Sequence, residues 1–307
     1  MLHHEGWLIG KNGSSNHHLY YQWWAADTVF EPARGVLVLV HGHSGHSDRF
    51  ENVAKVLVPL GYRVFGFDLR GHGRSTGRRG HVSNWDEFRA DLAFVLEWVT
   101  EQWPNSPRFL CGHSMGGTIV LDYVLRSPQG LQGAIAIAPV LGAIGVPAWK
   151  LALARLLSRC WPTFTLATSI DTSTATRDPA VNAAYAADPL RHGRGSARLA
   201  TELSTAVAGI WQRVEDWQLP LLLLHGSSDR VTASANSLAF FERIPYPDKE
   251  LREYPGAYHE LYADLNRQEV LANIVDWLGQ HLTDRRTGDR HEERTITLET
   301  PSTPILQ

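Results

Sequence analysis

The chain has 307 residues, of which 43% are hydrophobic and 20% charged, and its formal charge is −3. That length holds one large or two ordinary domains with a substantial core, and the near-neutral charge argues against nucleic acid as a partner. Two cysteines, Cys111 and Cys160, make no disulfide framework, and no run approaches the ~18 apolar residues of a membrane span. Met1 to Trp7 lacks the basic and apolar regions of a signal peptide, so a cytoplasmic protein is the expectation.

In chain order, Trp7–Ile9 and Leu19–Trp24 flank the turn-rich Lys11-Asn12-Gly13-Ser14 and predict an antiparallel hairpin. Gly35 to Val40 is a continuous apolar run, the mark of a strand buried on both faces of a mostly parallel sheet. Arg49 to Leu60 has helical spacing and stops at Gly61, and Tyr62–Phe67 is a further strand. Trp85 to Trp103 predicts a long amphipathic helix, capped by Ser83 or Asn84 with Asp86 and Glu87 in its first turn. Arg108–Cys111 reads as a strand with Cys111 a small buried thiol, and Thr118–Leu125 as a buried helix. Leu131–Ala138, Leu219–His225 and Glu250–Tyr254 are further strands, with Ala233–Ile244 and Asp264–Leu282 helical.

This alternation of strand and helix predicts an α/β architecture, a mostly parallel sheet with helices on both faces. Residues 139–208 break the rhythm: they hold helices but no convincing strand. The expected organisation is therefore a core of 1–138 and 209–282 and an inserted helical cap at 139–208. The segment 283–307, with charges, Thr and Pro but no apolar period, reads as a disordered tail.

Chemistry enters at Gly112-His113-Ser114-Met115-Gly116, a G-x-S-x-G pentapeptide between a predicted strand and a predicted helix. A serine hydroxyl is a poor nucleophile unless a sharp turn presents it and a base takes its proton. In the order Ser, acid, His, each residue belongs on the loop leaving a late strand. Asp229 leaves the very apolar Leu221–Leu224, and His259 follows the strand ending at Tyr254. Asp216 and Asp248 fit that order worse, since both precede their strands. His225 reads as a packed loop histidine, and His281 and His291 as solvated ones. The oxyanion needs donors, and the backbone N–H groups of Met115 and of His43, in the loop after Val40, are the candidates. His41, His43 and His46 could alternatively bind a metal, but the Asp that such an arrangement needs is replaced by Gly45. Gly71-His72-Gly73-Arg74-Ser75-Thr76-Gly77 misses dinucleotide spacing by one residue and reads as a structural turn. Neither a cofactor nor a metal is called for.

Together, His41-Gly42-His43-Ser44-Gly45-His46-Ser47-Asp48-Arg49-Phe50, Asp68-Leu69-Arg70-Gly71-His72-Gly73-Arg74-Ser75 and Gly112–Gly117 resemble the monoacylglycerol lipase and lysophospholipase branch of the α/β-hydrolases, the serine aminopeptidase S33-like group. Arg177-Asp178-Pro179, Asp188-Pro189-Leu190, His225–Asp229 and Tyr258–Leu261 extend the resemblance, which runs from about residue 5 to 282. It implies an eight-stranded α/β-hydrolase fold with a helical cap, a first oxyanion donor at His43 and a head-group position at Arg49. Monoglyceride-specific members often carry Glu where this chain has Gly45.

Within the expected cap, Pro147–Trp161 is amphipathic, with Trp149, Leu153, Leu156, Leu157, Cys160 and Trp161 on one face and Lys150, Arg155, Ser158 and Arg159 on the other. The apolar face either packs on the core or lines an acyl channel through Trp149, Leu153 and Leu157, touching membranes or micelles when the lid opens. The expectation is a serine hydrolase of lipid-like carboxylic esters acting on a small-molecule acyl ester. A short-chain carboxylesterase, an aminopeptidase and a non-catalytic receptor stand as alternatives.

Overall fold

A computed structural model describes residues 1–10, 17–27, 33–142, 148–167 and 172–282. The turn expected at 11–14 and the tail expected at 283–307 lie outside the described residues, as does the side chain of Trp149.

The first strands, β1 (Leu2–Ile9) and β2 (His18–Ala25), pair antiparallel, with Leu2 opposite Ala25 and Ile9 opposite His18. The chain continues through β3 (Gly35–Val40), α1 (Glu51–Leu57), β4 (Tyr62–Phe67), α2 (Asp86–Gln102), β5 (Arg108–His113), α3 (Met115–Val124) and β6 (Gly133–Ile137). Then come α4 (Ala148–Cys160), β7 (Thr165–Ala167), α5 (Pro179–Ala187), β8 (Arg194–Ser196) and α6 (Ala197–Arg213). β9 (Leu221–Gly226), α7 (Ser234–Arg243), β10 (Lys249–Tyr254) and α8 (Arg267–Gln280) complete the order. The large sheet has eight strands in the order β1-β2-β4-β3-β5-β6-β9-β10, parallel from β4 to β10.

The continuous apolar runs follow from two-sided burial. Side chains alternate across a strand, so Val36, Val38 and Val40 of β3 join one core cluster and Leu37 and Leu39 the other. On β9 the same division separates Leu221 and Leu223 from Leu222 and Leu224. The first cluster is covered by α2 and α3, with Phe88, Leu92, Val95 and Ile119. The second is covered by α1 and α8, with Val53, Leu57, Ile274 and Trp277. Each buried Leu contributes about 1.5–3 kcal/mol of transfer free energy. Asn84 caps α2, its Oδ1 accepting from the Glu87 amide at 3.2 Å.

Between β6 and β9 the structure departs from the expected pattern in two respects. β7 and β8 form a two-stranded antiparallel ribbon, three residues each, too short to leave a periodic signal. The boundary expected at 208 also falls inside α6, which runs unbroken to Arg213. Its apolar stripe, Leu199, Leu203, Ala206, Val207 and Ile210, belongs to the first core cluster. A stripe of that length continues its helix for as long as it finds core to cover. α4 lies along α6 rather than on the sheet.

Candidate active site

Four loops leaving the C-terminal ends of β3, β5, β9 and β10 meet beside the point where strand order reverses around β3, the usual place for a ligand crevice in an open α/β sheet. Ser114 stands between β5 and α3 with φ 55° and ψ −123°, a conformation rare for a side-chain-bearing residue and characteristic of a strained turn. Tertiary contacts hold it. The Ser114 amide donates to the Ile137 carbonyl at 2.9 Å, and Thr118 Oγ1 donates to Val140 O at 2.9 Å. Gly116 lets α3 press against β3: a Cβ there would stand 2.2 Å from the Val40 carbonyl oxygen. Gly42 brings the loop after β3 close as well, because its Cβ would lie 2.9 Å from Ser114 Cβ.

His259 Nδ1–H donates to Asp229 Oδ2 at 2.7 Å, which fixes the ring's tautomer and leaves Nε2 for the cavity side. The Asp229 side chain is wholly enclosed. Its Oδ1 accepts from the amides of Val231 and Thr232 at 2.7 and 3.0 Å, and Thr232 Oγ1 donates to Oδ2 at 2.8 Å. Burial alone would raise this carboxyl, but the hydrogen bonds from His225 and His259, with the charge on His259, outweigh it and hold Asp229 far below the usual carboxylate range. It is an anion at every working pH.

A cavity of about 230 Å³ opens over these groups. Ser114, His259, His113, His43 and Ser44 line its floor, and Tyr185, Asp188, Arg191, His192 and Glu260 its polar wall. Among the described residues, the amides of His43 and Met115 have no acceptor, and Met115 is the first residue of α3, where helix N–H groups are left unpaired. The His43 ring stands in a group with His72 and His192, 5.5 and 5.4 Å between centroids. Burial, helped by His192, pushes His43 down to about 3, and burial with Arg79 takes His192 to about 4, so both rings are neutral.

The structure thus brings Ser114, Asp229, His259, His43 and Met115 into one site. Other expected positions are placed differently. Arg49 does not line the cavity: its guanidinium is buried, pairs with the Glu260 carboxylate and lies over the Tyr185 ring, 3.4 Å from its centroid. It stands behind two lining residues, Glu260 and Tyr185, neither evident from sequence spacing. Leu153 and Leu157 are not among the cavity's lining residues. Leu153 is 47% exposed, as are Leu156 (59%) and Trp161 (58%), and Leu157 is half-buried. Ser158, placed on the polar face by spacing, is instead buried, because its Oγ bonds Thr201 Oγ1 on α6 at 2.9 Å.

His41, His43 and His46 do not converge. His41 Nδ1–H donates to Gly42 O and its Nε2 accepts from the Leu69 amide, while His46 Nε2 pairs with Asp188 at 2.6 Å. Among the described residues no group of three or more His, Cys, Asp or Glu could hold a metal ion. In the glycine-rich loop, Asp68 accepts from the Ser47 and Arg74 amides at 2.7 Å each, so that stretch braces the loop after β3.

Residues 31–266 match the family described as serine aminopeptidase, S33. The chain belongs to this family. Its relatives include a monoacylglycerol lipase of Mycolicibacterium smegmatis, 35% identical over 266 residues that cover 86% of this chain and 94% of that protein. Among solved structures, Paleococcus ferrophilus monoacylglycerol lipase superposes with a TM-score of 0.78 at 33% identity, over 86% of this chain and 99% of that one. A soluble variant of Saccharomyces cerevisiae monoglyceride lipase, in complex with a substrate analog, gives 0.81 at 25% identity over 91% and 95%. The fold of this family member is accordingly the α/β-hydrolase fold.

Proposed function

We propose that the protein hydrolyses carboxylic esters of single-chain lipids, monoacylglycerols or lysophospholipids, through an acyl-enzyme at Ser114. The Asp229–His259 hydrogen bond at 2.7 Å, beneath a cavity that also holds the strained Ser114, carries this reading. Ser114 Oγ attacks the ester carbonyl as His259 Nε2 accepts its proton, and Asp229 stabilises the imidazolium that results. The N–H groups of His43 and Met115 receive the oxyanion, each worth about 2.7–4 kcal/mol in the transition state. His259 returns the proton to the leaving alcohol. A water activated the same way then releases the fatty acid.

The relatives' lipase activities support the lipid ester, and the wall of Tyr185, Asp188, Arg191 and Glu260 offers donors and acceptors to a polar alcohol. The segment between β6 and α6 acts as a cap, with the exposed Leu153 and Leu156 of α4 and Trp161 just after it as its contact with micelles or membrane surfaces. Among the described residues no helix is long and apolar enough to cross a membrane. The cavity, about 230 Å³, favours a second reading, short-chain esters, because a long acyl chain exceeds it unless the cap shifts.

A panel of monoacylglycerols of increasing chain length, lysophosphatidylcholine, short p-nitrophenyl esters and a proline arylamide tests the assignment. Ser114→Ala should abolish both burst and turnover. A dominant arylamide rate overturns the ester reading, and an unchanged rate in Ser114→Ala overturns the mechanism.

A further inference from the structure

Asp229 faces a second imidazole. His225, next to last in β9, is fully buried, with Nε2 3.3 Å from Asp229 Oδ2 and 3.2 Å from the Thr232 carbonyl oxygen. The carboxylate and the carbonyl can only accept, and the one proton of the Thr232 hydroxyl, itself 3.3 Å from Nε2, goes to Asp229 Oδ2 at 2.8 Å, so Nε2 carries the proton. Nδ1 is then an acceptor, and the hydroxyl of Ser237 on α7, 2.8 Å away and itself buried, donates to it. Asp229 Oδ2 therefore collects three donors: His259 Nδ1–H at 2.7 Å, Thr232 Oγ1–H at 2.8 Å and His225 Nε2–H at 3.3 Å.

We propose that His225 is a positioning residue of the hydrolytic machinery: held by Ser237, it fixes Asp229 in the orientation facing His259 and takes up part of the carboxylate's charge. This rests on the Ser114–His259–Asp229 mechanism above. A carboxylate with fewer donors is a stronger acceptor for its remaining ones, so the charge left on Oδ2 sets how firmly the His259 imidazolium is stabilised. His225 thereby tunes the base without touching substrate. On the other side of His259 stand His113, its ring 4.7 Å away, and Glu260, with Arg49 behind it. Among the described residues only His225 and His259 of the ionisable side chains bond Asp229.

The test compares His225→Leu and His225→Gln with wild type on a water-soluble ester across pH, with the His259 Nδ1–H proton followed by NMR. In His225→Leu, loss of a donor makes Asp229 more basic. The acid limb of kcat/KM should rise by about 0.5 pH unit, and the Nδ1–H signal should move downfield. kcat should fall about tenfold with KM within about twofold, the size of one hydrogen bond to a charged group. His225→Gln, whose amide can donate near the same point, should return the acid limb to its wild-type position. A folded His225→Leu with the wild-type acid limb and proton signal overturns the proposal, as does a Gln variant impaired as much as Leu. If His225→Leu does not fold, Ser237→Ala, which deletes one hydroxyl, should shift the limb in the same direction by a smaller amount, and an unchanged profile there overturns it equally. Ser114→Ala assayed alongside separates the two levels: hydrolysis surviving in that variant refutes the underlying mechanism, whatever position 225 shows.

Discussion

Replacing Arg49 by Met strands the Glu260 carboxylate. The two side chains are 6% and 7% exposed and bonded to each other, and Glu260 is left with neutral partners, the Tyr185 hydroxyl and the Tyr262 hydroxyl at 3.3 Å. Removing one partner of a buried pair costs about 3–5 kcal/mol, because the other charge stays desolvated. Arg49 also loses its seat on the Tyr185 ring. For a chain of this length the loss corresponds to a melting temperature lower by roughly 5–8 °C. The pH dependence identifies the cause. In the wild type, burial opposes ionisation of Glu260, but Arg49 and His113 outweigh it and hold its pKa below the ordinary value. That contribution to stability is present above the unfolded pKa of about 4.3 and is lost as pH falls through the lower folded value. In Arg49→Met burial prevails, the folded pKa rises above the unfolded one, and the penalty grows as pH climbs past about 4.3. Urea unfolding at pH 4.5, 6 and 7.5 should therefore show a deficit that widens with pH, and Arg49→Met/Glu260→Gln should recover most of it. A deficit under about 1 kcal/mol at pH 7.5, or one equal at all three pH values, refutes the reasoning.

Asp229→Asn should lower kcat by about 10⁴-fold on any ester hydrolysed, since the amide no longer selects the His259 tautomer; activity assays beside thermal melts check that the fold survives. The cysteines should titrate separately with a thiol reagent: the exposed Cys160 reacts in the native protein, whereas Cys111, whose thiol burial pushes up to about 12, reacts only in denaturant. Two equivalents in the native state would contradict its placement in β5. Leu156→Ser with Trp161→Ser should reduce turnover of micellar substrate severalfold and leave a soluble ester unaffected, because both residues are exposed on the α4 side and contribute little to the core. Equal losses on both substrates would argue against the surface-contact reading.

The strands carrying Ser114, Asp229 and His259 were legible because two-sided burial writes an unbroken apolar run, as in Leu221–Leu224, and because each run ends where a loop residue with chemistry begins. Elements fixed by side-chain partners far along the chain were not. Arg49 meets Glu260 across 211 positions, and no local pattern encodes that pairing. His225 was read as a packed histidine. It is packed, but its neighbours include the acid itself. Helical spacing places the apolar stripe of α4 on one face but says nothing of whether a partner covers it, and here Ser158, not Leu153 or Leu156, turns toward α6. The β7–β8 ribbon is three residues deep, below any periodicity.

The segment between β6 and β9 joins the rest of the molecule in two unlike ways. α6 is sewn into the hydrophobic core, whereas the parts nearest the cavity are attached by individual polar contacts: His46 to Asp188, Ser44 to the carbonyl of His192, His81 to Ser196 and Arg177 to Asp264. Foldedness and selectivity are thereby written in different residues. A substitution on the cap side of one of the polar seams, at Asp188 or His192, rewrites the rim of the pocket and leaves the strand interior untouched, so new substrates can be tried one contact at a time.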